Sequence, residues 1–455
     1  MSLTGLLGIA RSALAARQAQ LNVTGNNIAN ANTEGYSRQR VRLAAAPPQR
    51  TAQGQLGTGV RIEGIERARS AHLDASLRAE SGVLGEFQTL RDRLGEVEAA
   101  FGEPSDTGLA ATLDAFWSSW SDLANDPTGA AARTMVRARG RQLAGQLNDL
   151  GRRLTDVQAS ALDEMRRDVS QANGLTKQLA NLNRQIAAAE SGNRVAPDLR
   201  DARDRLIDQL ATALPVRVID RGDGTVSVFA GDAMVVDGGT SRDLAVRATS
   251  GGGFSIEFAD TTRTLDIGGG RLKAGLDLTG TQVPAIRRQL DDLVQAIVTT
   301  VNALHQTGYT RTGLTGTDFF APTGVNADTI ALTSAVESSA DAVAAGTTGA
   351  PGDGTLALAI AGLRDAPLPL LGGLTAASFY TDVVTAVGAA VADAGRLADS
   401  QDLLVSQLET QRSSVSGVSV DEELINLIAY QQAYVAATRV VSAADQMMQE
   451  LLRMV

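Results

Sequence analysis

The side chains that could perform nucleophilic or acid–base chemistry are few and scattered along this sequence. The two histidines, His72 and His305, lie far apart, and none of the 455 residues is a cysteine. His305 follows an apolar helical stretch, where a packing or helix-end role is more common than catalysis. The lack of cysteine excludes disulfides, thiolate metal ligands and cysteine nucleophiles.

Paired carboxylates are the remaining candidates for acid–base catalysis. Asp291-Asp292 and Glu422-Glu423 are adjacent on predicted helices, so the two side chains of each pair diverge around the helix axis. This placement indicates a solvated face or a favourable charge near a helix end. The motif GDGT occurs twice but lacks the lysine of a phosphate-binding loop, and it is typical of turns. The sequence therefore predicts no catalytic residue, no cofactor site and no metal site.

Composition and charge exclude further classes of function. The net charge of −10 disfavours nucleic-acid binding, because phosphate contacts need a basic surface. It also gives no attraction toward anionic membranes, and no apolar run is long enough for a transmembrane helix. No basic region precedes the first apolar residues, so a cleaved secretory signal is not expected. The length allows roughly two to four domains.

The N-terminal residues have the pattern of a long amphipathic helix. Residues 3–30 are predicted to be helical, and one face carries a large apolar residue at every seventh position. These residues are Leu7, Leu14, Leu21 and Ile28. Sevenfold spacing is typical of a helix that packs along a second helix.

The C-terminal residues repeat this pattern for five heptads after a capping box formed by Ser419 and Glu422. The first predicted stripe comprises Val420, Leu427, Tyr434, Val441, Met448 and Val455. The second comprises Leu424, Gln431, Thr438, Asp445 and Leu452. We expect this helix to pair with the N-terminal helix, with Gln431 and Asp445 setting the register of the seam.

An asparagine-rich elbow, NNIANANTEGYSRQ at residues 26–39, separates the first helix from an extended segment. Asparagine hydrogen-bonds local backbone and tolerates left-handed geometry, and Asn30 and Asn32 are expected to do so. Gly35 is expected to adopt a dihedral angle that a β-carbon disfavours. The residues predicted to form the turn are Asn26, Asn27, Asn30, Asn32, Gly35 and Tyr36.

The predicted fold class is mainly α, with paired N- and C-terminal helices in a coiled coil, a long-helix bundle and small β-rich inserts. Alternating valines flank the turn at Asp223-Gly224 and predict strands, and residues 264–278 are also interpreted as strands. The predicted segments are 1–63 (terminal helix, elbow and extended segment), 64–215 (helical domain), 216–280 (β-rich insert), 281–305 (helix returning to the helical domain), 306–375 (loop or β insert), 376–415 (helix of the helical domain) and 416–455 (C-terminal helix).

Both ends of the chain resemble a known family. GIARSALAARQAQLNVTGNNIANANTEGYSRQRV and SGVSVDEELINLIAYQQAYVAATRVVSAADQMMQELL resemble the terminal motifs of bacterial flagellar rod, hook and hook-associated proteins. Four internal stretches indicate the hook-associated branch at the junction between hook and filament. They are FWSSWSDLANDPTGAAARTMVRARGRQLAGQLNDL, LNRQIAAAE, DLRDARDRLIDQLA and VNALHQTGYTRTGLTGTDFF.

This resemblance implies a non-enzymatic structural subunit that forms a closed ring of about eleven copies. The implied partners are the hook protein, hook-associated protein 3 and a flagellar export chaperone. The subunit would leave the cell through the flagellum-specific type III export channel and become part of the extracellular flagellum. Its terminal helices would pair, line the inner tube and become ordered on assembly. The implied assembly residues are Leu7, Leu14, Leu21, Ile28, Leu424, Leu427, Tyr434, Val441, Met448 and Leu452.

Two alternatives stay open from the sequence. One is another flagellar axial protein. The internal helical stretches argue against the rod and hook proteins, and the elbow argues against hook-associated protein 3. The other is a hydrolase delivered to the rod, which would require a pair of carboxylates in a cleft.

Overall fold

A computed structural model describes residues 3–51, 54–192 and 195–454, so Val455 of the first predicted stripe lies outside the described residues. The helices are α1 (Leu3–Ala29), α2 (Ala71–Phe101), α3 (Leu109–Asn125), α4 (Ala130–Ala189), α5 (Pro197–Ala213), α6 (Gly270–Asp277), α7 (Val283–His305), α8 (Ser334–Ser338), α9 (Thr355–Ala361), α10 (Ala376–Ser416) and α11 (Val420–Arg453). The strands are β1 (Gln39–Ala45), β2 (Gln49–Thr51), β3 (Gly54–Leu56), β4 (Val60–Arg67), β5 (Val216–Asp220), β6 (Val226–Ala230), β7 (Ala233–Asp237), β8 (Thr240–Ser241), β9 (Leu244–Ala248) and β10 (Phe254–Phe258).

The mainly α fold class with small β inserts is confirmed, since helices make up 64% of the chain. The longest helix, α4, has 60 residues and spans about 90 Å at 1.5 Å per residue. Its first half packs with α3 and α7 around fully buried aromatic side chains, among them Phe116, Trp120 and Phe319. Helix α10 packs along α2 and completes the bundle.

The second half of α4 carries the β-rich insert. Strands β5, β6, β7 and β8 form an antiparallel sheet in that order, and β9 pairs with β10. The central strand β6 is almost wholly buried, because it lies between two strands and against α4. Asn183 of α4 donates hydrogen bonds to the carbonyl groups of Val226 and Gly238, at 2.8 Å each.

The prediction of strands at residues 264–278 is wrong. Thr264 forms only an isolated β-bridge with Glu257, and the second half of this stretch forms α6 and the start of a π-helical turn at Leu278–Gln282. Leu272, Ala274 and Gly275 are buried in this helix, which packs against α2 and α4. Gly270 has a φ of 82°, and a β-carbon there would lie 2.5 Å from the Ala213 carbonyl oxygen. Gly270 thus allows the chain to enter α6 close to the end of α5.

The insert after α7 is mostly loop, with the short helices α8 and α9 and isolated β-bridges. It packs on α4 where Gly140 leaves room, since a β-carbon at Gly140 would lie 2.7 Å from the Phe319 ring. His305 is buried and joins two parts of the insert: its Nδ1 lies 2.6 Å from the Thr317 oxygen, and its Nε2 accepts from the Ala344 amide at 3.0 Å.

A two-part β-ribbon runs back from the elbow along α1. Strand β1 pairs with β4 and β2 pairs with β3, all antiparallel. Gly59, with a φ of 105°, approaches α1 closely enough for the Val60 amide to donate to the Ser12 hydroxyl at 3.3 Å. Helix α1 therefore contacts the ribbon on one side and α11 on another.

Candidate assembly interface

The two terminal helices pack against each other, which confirms their predicted pairing. On α11 the half-buried residues Leu427, Tyr434, Val441 and Met448 recur every seven positions. A second line of contact follows three residues later, at Tyr430, Ala437 and the fully buried Ala444. The Arg17 guanidinium of α1 lies 5.9 Å from the centre of the Tyr430 ring. This is the a/d arrangement of a coiled coil.

The predicted second stripe is wrong as part of this seam except at Thr438, which is half-buried. Leu424 is 45% exposed and Leu452 is 73% exposed, and Gln431 and Asp445 also face solvent. A coiled coil buries positions at alternating spacings of three and four residues. Counted from Leu427, the prediction placed the second line four residues later, at Gln431, whereas the structure places it three residues later, at Tyr430. The true second line contains alanines, which have little apolar weight in a sequence pattern. Gln431 and Asp445 consequently do not set the register of the seam.

On α1 the predicted stripe lies at the edge of the buried face. Leu7, Leu14, Leu21 and Ile28 are all half-buried. The fully buried residues of this helix are smaller, namely Ala10, Ala16, Val23, Thr24 and Asn27. Small residues allow α11 and the ribbon to approach α1 from two directions.

The elbow ends α1 as the asparagine pattern predicts. The Asn30 amide nitrogen donates to the backbone oxygen of Asn26 at 3.0 Å and to its side-chain oxygen at 2.9 Å. Gly35 has a φ of 74°, in the left-handed region that favours glycine. Asn32 is exposed and makes no side-chain hydrogen bond within the described part of the chain, so its predicted role is wrong.

Asn27 is the centre of the elbow and is only 1% exposed. Its side-chain oxygen accepts from the Tyr36 hydroxyl at 2.9 Å and from the Gln39 amide at 3.0 Å. Its side-chain nitrogen donates to the Gln39 carbonyl at 3.0 Å and to Glu423 Oε2 at 3.1 Å. The Asn26 side chain donates to the Tyr36 hydroxyl at 3.2 Å. Only an amide offers donors and an acceptor in this geometry.

Glu423 connects the elbow to the start of α11 and is 2% exposed, so a solvated face is the wrong alternative for it. Its place in the first turn of α11 agrees with the other alternative, a favourable charge near a helix end. Arg38 donates to Glu423 Oε1 at 2.7 Å and to Glu422 Oε2 at 2.9 Å. The Arg38 backbone amide also donates to the Ser416 carbonyl at 2.8 Å, just before α11 begins. A buried carboxylate is tolerated here because it is paired and hydrogen-bonded.

The elbow is also joined to the helical domain. Ser37 donates to Asp201 of α5 through its amide at 3.0 Å and its hydroxyl at 2.7 Å. Gln39 donates to Asp198 at 2.8 Å. Burial raises the pKa of Tyr36, and the carboxylates of Asp198, Asp201 and Glu423 raise it further. Its hydroxyl therefore remains a donor.

Next to these contacts lies a buried ion-pair network, which we call the arginine–aspartate cluster. It joins β4, α2 and α5 and consists of Arg67, Arg69, Arg78, Asp74, Asp201 and Asp204. Arg67 Nη1 lies 2.7 Å from both Asp201 and Asp204. Burial alone would raise the pKa of Asp204, but the surrounding arginines outweigh it and lower that pKa.

Sequence reasoning missed Ser37, Arg38 and Gln39, although they stand inside the quoted elbow motif. Three consecutive polar side chains directly after a turn were the signal in the sequence that could have indicated a hydrogen-bonded contact. Nothing local in the sequence links Arg38 to Glu423, which is 385 positions away. The described residues contain no group of three or more histidine, aspartate or glutamate side chains placed to hold a metal ion.

No single helix in the described ranges is long and apolar enough to cross a bilayer. A helix pair bent by 58°, residues 355–371 with 376–453, meets the length and composition test only when its two parts are combined.

Three family models match this chain. Residues 94–320 match the flagellar hook-associated protein FlgK helical domain. Residues 7–36 match the flagella basal body rod protein, and residues 409–454 match the flagellar basal body rod FlgEFG protein C-terminal model. The two terminal matches thus cover most of α1 and α11.

Curated relatives extend the match over nearly the whole chain. Flagellar hook-associated protein 1 of Bacillus subtilis is 30% identical, over 98% of this chain and 97% of the relative. The protein of the same name from Salmonella typhimurium is also 30% identical, over 70% of this chain and 60% of the relative. The flagellar hook junction protein FlgK from Burkholderia pseudomallei shares the fold, with a TM-score of 0.67 at 17% identity, over 75% of this chain and 100% of that one.

The paired ends, the elbow and the helical body define a structural protein of the bacterial flagellar axis. Within that class, the chain belongs to the flagellar hook-associated protein 1 family. The resemblance seen in the sequence is therefore confirmed.

Proposed function

We propose that this chain is the structural subunit that joins the flagellar hook to the filament and that it has no catalytic activity. Its relatives are named hook-associated proteins, and a protein of the same fold is described as a hook junction protein. Segments 1–63 and 416–455 form its axial part. Segments 64–215, 281–305 and 376–415 form an outer helical domain that carries the inserts 216–280 and 306–375.

In this proposal the subunit forms a closed ring of about eleven copies. The hook protein lies on one side of the ring and hook-associated protein 3 on the other. A flagellar export chaperone binds the subunit before it leaves through the type III channel to the extracellular flagellum. The predicted assembly residues, from Leu7 to Ile28 on α1 and from Leu424 to Leu452 on α11, contact neighbouring subunits or the paired helix.

One observation carries the proposal: Asn27 and Arg38 from the N-terminal segment both hold Glu423, and Asn27 is 396 positions from it. The same elbow is tied to α5 through Ser37 and Asp201. The direction of the paired helices relative to the outer domain is therefore set by direct hydrogen bonds. A subunit that lines a tube with its ends needs this direction to be defined.

The test is electron microscopy of a strain that lacks this chain. We expect intact hooks without filaments, and restored filaments when the wild-type chain is supplied. A strain carrying Glu423→Gln should attach at least about tenfold fewer filaments, because the half-buried Arg38 then loses its buried charged partner and keeps only the exposed Glu422. Glu422→Gln is the matched control, since the Glu422 side chain is 62% exposed and its pairing with Arg38 contributes little.

Filaments on the hooks of the deletion strain would show that the junction role is wrong. If the deletion strain loses its filaments but Glu423→Gln has normal filaments, the chain still joins hook and filament. In that case the hydrogen bonds of the elbow to Glu423 are not needed for this role.

A further inference from the structure

His305 is a fully buried titratable side chain that has no part in the proposed function. It ends α7 and contacts residues 339–346 of the following insert, which we call the strap. Residues 343–345 of the strap are at most 1% exposed, whereas Ser338 and Thr347 on either side of it are exposed. The strap is therefore a short buried crossing of the chain at the end of α7.

Backbone groups fix the protonation state of His305. Its Nδ1 lies 2.6 Å from the Thr317 carbonyl oxygen, which can only accept, so Nδ1 carries a proton. Its Nε2 accepts from the Ala344 amide at 3.0 Å, so Nε2 carries none. A neutral imidazole satisfies both partners, because one ring nitrogen donates and the other accepts. Protonation of Nε2 would place two donors against each other and remove the bond to the strap.

The peptide unit between Val343 and Ala344 is held at both of its polar ends. The Arg133 guanidinium of α4 donates to its oxygen, and His305 accepts from its nitrogen. A protonated His305 would therefore add a second cation beside this peptide unit. Two like charges at a buried site repel each other more strongly than they would in water. The surroundings of the strap thus disfavour the charged form of His305.

Two aromatic rings and a carboxylate also lie close to His305. The Trp120 and Phe319 rings have their centres 6.3 and 5.7 Å from the centre of the imidazole. Burial lowers the pKa of His305, and the nearby carboxylate of Asp318 offsets only part of that shift. The closed structure therefore binds a proton less readily than an accessible histidine does.

We infer that His305 holds the strap closed only while its ring is neutral, so that mild acid releases the strap. The proton comes from water and binds Nε2, and the hydrogen bond from the Ala344 amide breaks. The ratio of open to closed strap should rise by up to about tenfold for each pH unit below about 6.5, the ordinary pKa of an accessible histidine. This response belongs to the outer insert and does not depend on the role of the chain between hook and filament.

Two other contacts of the strap keep their charge state between pH 7 and pH 5. The Gly346 carbonyl accepts from the Tyr309 amide at 2.8 Å, and neither group titrates in this range. Arg311 pairs with Asp341 at 2.6 Å and lowers the pKa of that carboxyl group, so Asp341 stays charged. An opening of the strap over this pH range would therefore be due to His305.

Hydrogen exchange of the full-length chain at pH 7 and pH 5 tests this inference, with each rate divided by the intrinsic rate at that pH. The Ala344 and Ala345 amides should lose at least about tenfold of their protection at pH 5. At both pH values they should exchange at least about tenfold faster than the amides around Leu147 in α4, because the strap opens while the bundle stays folded. Equal strap protection at the two pH values, or strap protection as high as that of α4, would overturn the inference.

His305→Gln removes the titrating ring and keeps a side-chain acceptor for the Ala344 amide. Its strap should therefore be protected equally at pH 7 and pH 5. His72→Gln is the matched control, because His72 is exposed on α2 and is the other histidine of the chain. This control should retain the acid response of the wild type, and a response of the same size in His305→Gln would contradict the inference.

Nitrogen NMR of the His72→Gln chain gives a second measurement that needs no change at His305, which is then the only histidine. At pH 7 the signals should show a proton on Nδ1 and none on Nε2. On acidification Nε2 should gain its proton over the same pH range in which the strap loses protection. A proton on Nε2 at pH 7, or protonation of the ring with the strap still protected, would overturn the inference even if His305→Gln fails to fold.

Discussion

The core of the helical domain and the seam of the terminal helices are built from different residues. In the helical domain Phe116, Trp120 and Leu123 are each 0% exposed and are surrounded by other large side chains. In the terminal pair the buried apolar residues are alanines and a single valine, namely Ala10, Ala16, Val23 and Ala444. The large residues of that pair are half-buried or exposed.

This difference separates folding from assembly. Fully burying a large apolar side chain contributes about 1.5–3 kcal/mol, whereas an alanine methyl contributes much less. The helical domain therefore has its own hydrophobic core, whereas the terminal pair depends on the polar elbow and, under the proposed function, on neighbouring copies. The four predictions below test this separation, from the largest expected change in stability to the smallest.

The largest effect is expected from Trp120→Ala in the helical domain. Removing this buried indole leaves a cavity among Phe116, Phe319 and His305 and should lower the free energy of unfolding by about 3–5 kcal/mol. Chemical denaturation of the purified chain measures the change. Leu403→Ala, at a position 73% exposed on α10, is the control and should change stability by less than about 0.5 kcal/mol.

The arginine–aspartate cluster lies between the two regions and should come next. Asp204→Asn leaves Arg67 and Arg69 without one of their buried partners and should cost about 3 kcal/mol. Thermal unfolding compares it with Asp163→Asn, which breaks an exposed pair with Arg166 and should cost at most about 0.5 kcal/mol. Equal effects of the two substitutions would mean that the cluster does not connect the elbow firmly to the domain.

His305 should make the helical domain sensitive to mild acid. Burial lowers the pKa of His305 below its usual value, so the unfolded chain binds a proton more readily than the folded chain. Stability is then fully present above the unfolded pKa of about 6.5 and is lost as the pH falls below it. Between pH 7 and pH 5 the loss should be at most about 2 kcal/mol, which is the limit for the binding of one proton. The His305→Gln variant should be less stable than the wild type at pH 7, and its free energy of unfolding should depend less on pH. If the two proteins lose stability equally between pH 7 and pH 5, His305 is not the cause of the acid sensitivity.

The smallest effect on folding is expected from Leu427→Asp in the seam. Leu427 is half-buried between the two terminal helices, which lie outside the core of the helical domain. The free subunit should therefore lose less than about 1 kcal/mol of stability. Assembly should nevertheless fail, because the charge would be enclosed among apolar side chains in the ring. Circular dichroism melts and electron microscopy of hooks measure the two effects. A melting temperature as low as that of Trp120→Ala would show that the seam is part of the folding core.

Patterns with a long period were predictable from the sequence. The sevenfold spacing of Leu427, Tyr434 and Val441 identified the seam face of α11, since a heptad keeps one face toward its partner. The left-handed glycine at residue 35 followed from the turn composition. The second line of the seam did not follow, because Ala437 and Ala444 are buried by close approach and carry little hydrophobic signal.

Contacts between distant segments were not predictable in the same way. Glu423 has the neighbours of an ordinary first-turn acid, and its burial depends on Arg38 and Asn27 arriving from the other end of the chain. Residues 270–277 belong to the stretch that the sequence analysis interpreted as strands. They are helical because Leu272 and its neighbours pack against α2 and α4.

By itself, the sequence determined that both ends are amphipathic helices and that an asparagine elbow follows the first. These properties depend on the spacing of apolar residues and on local backbone chemistry, and both can be read from a short stretch of the sequence. Only the tertiary structure decided which small residues complete each buried face, which acidic residue is paired and which apolar residues remain exposed. Those outcomes depend on the approach of segments hundreds of positions apart, because burial and charge pairing are properties of the packed chain.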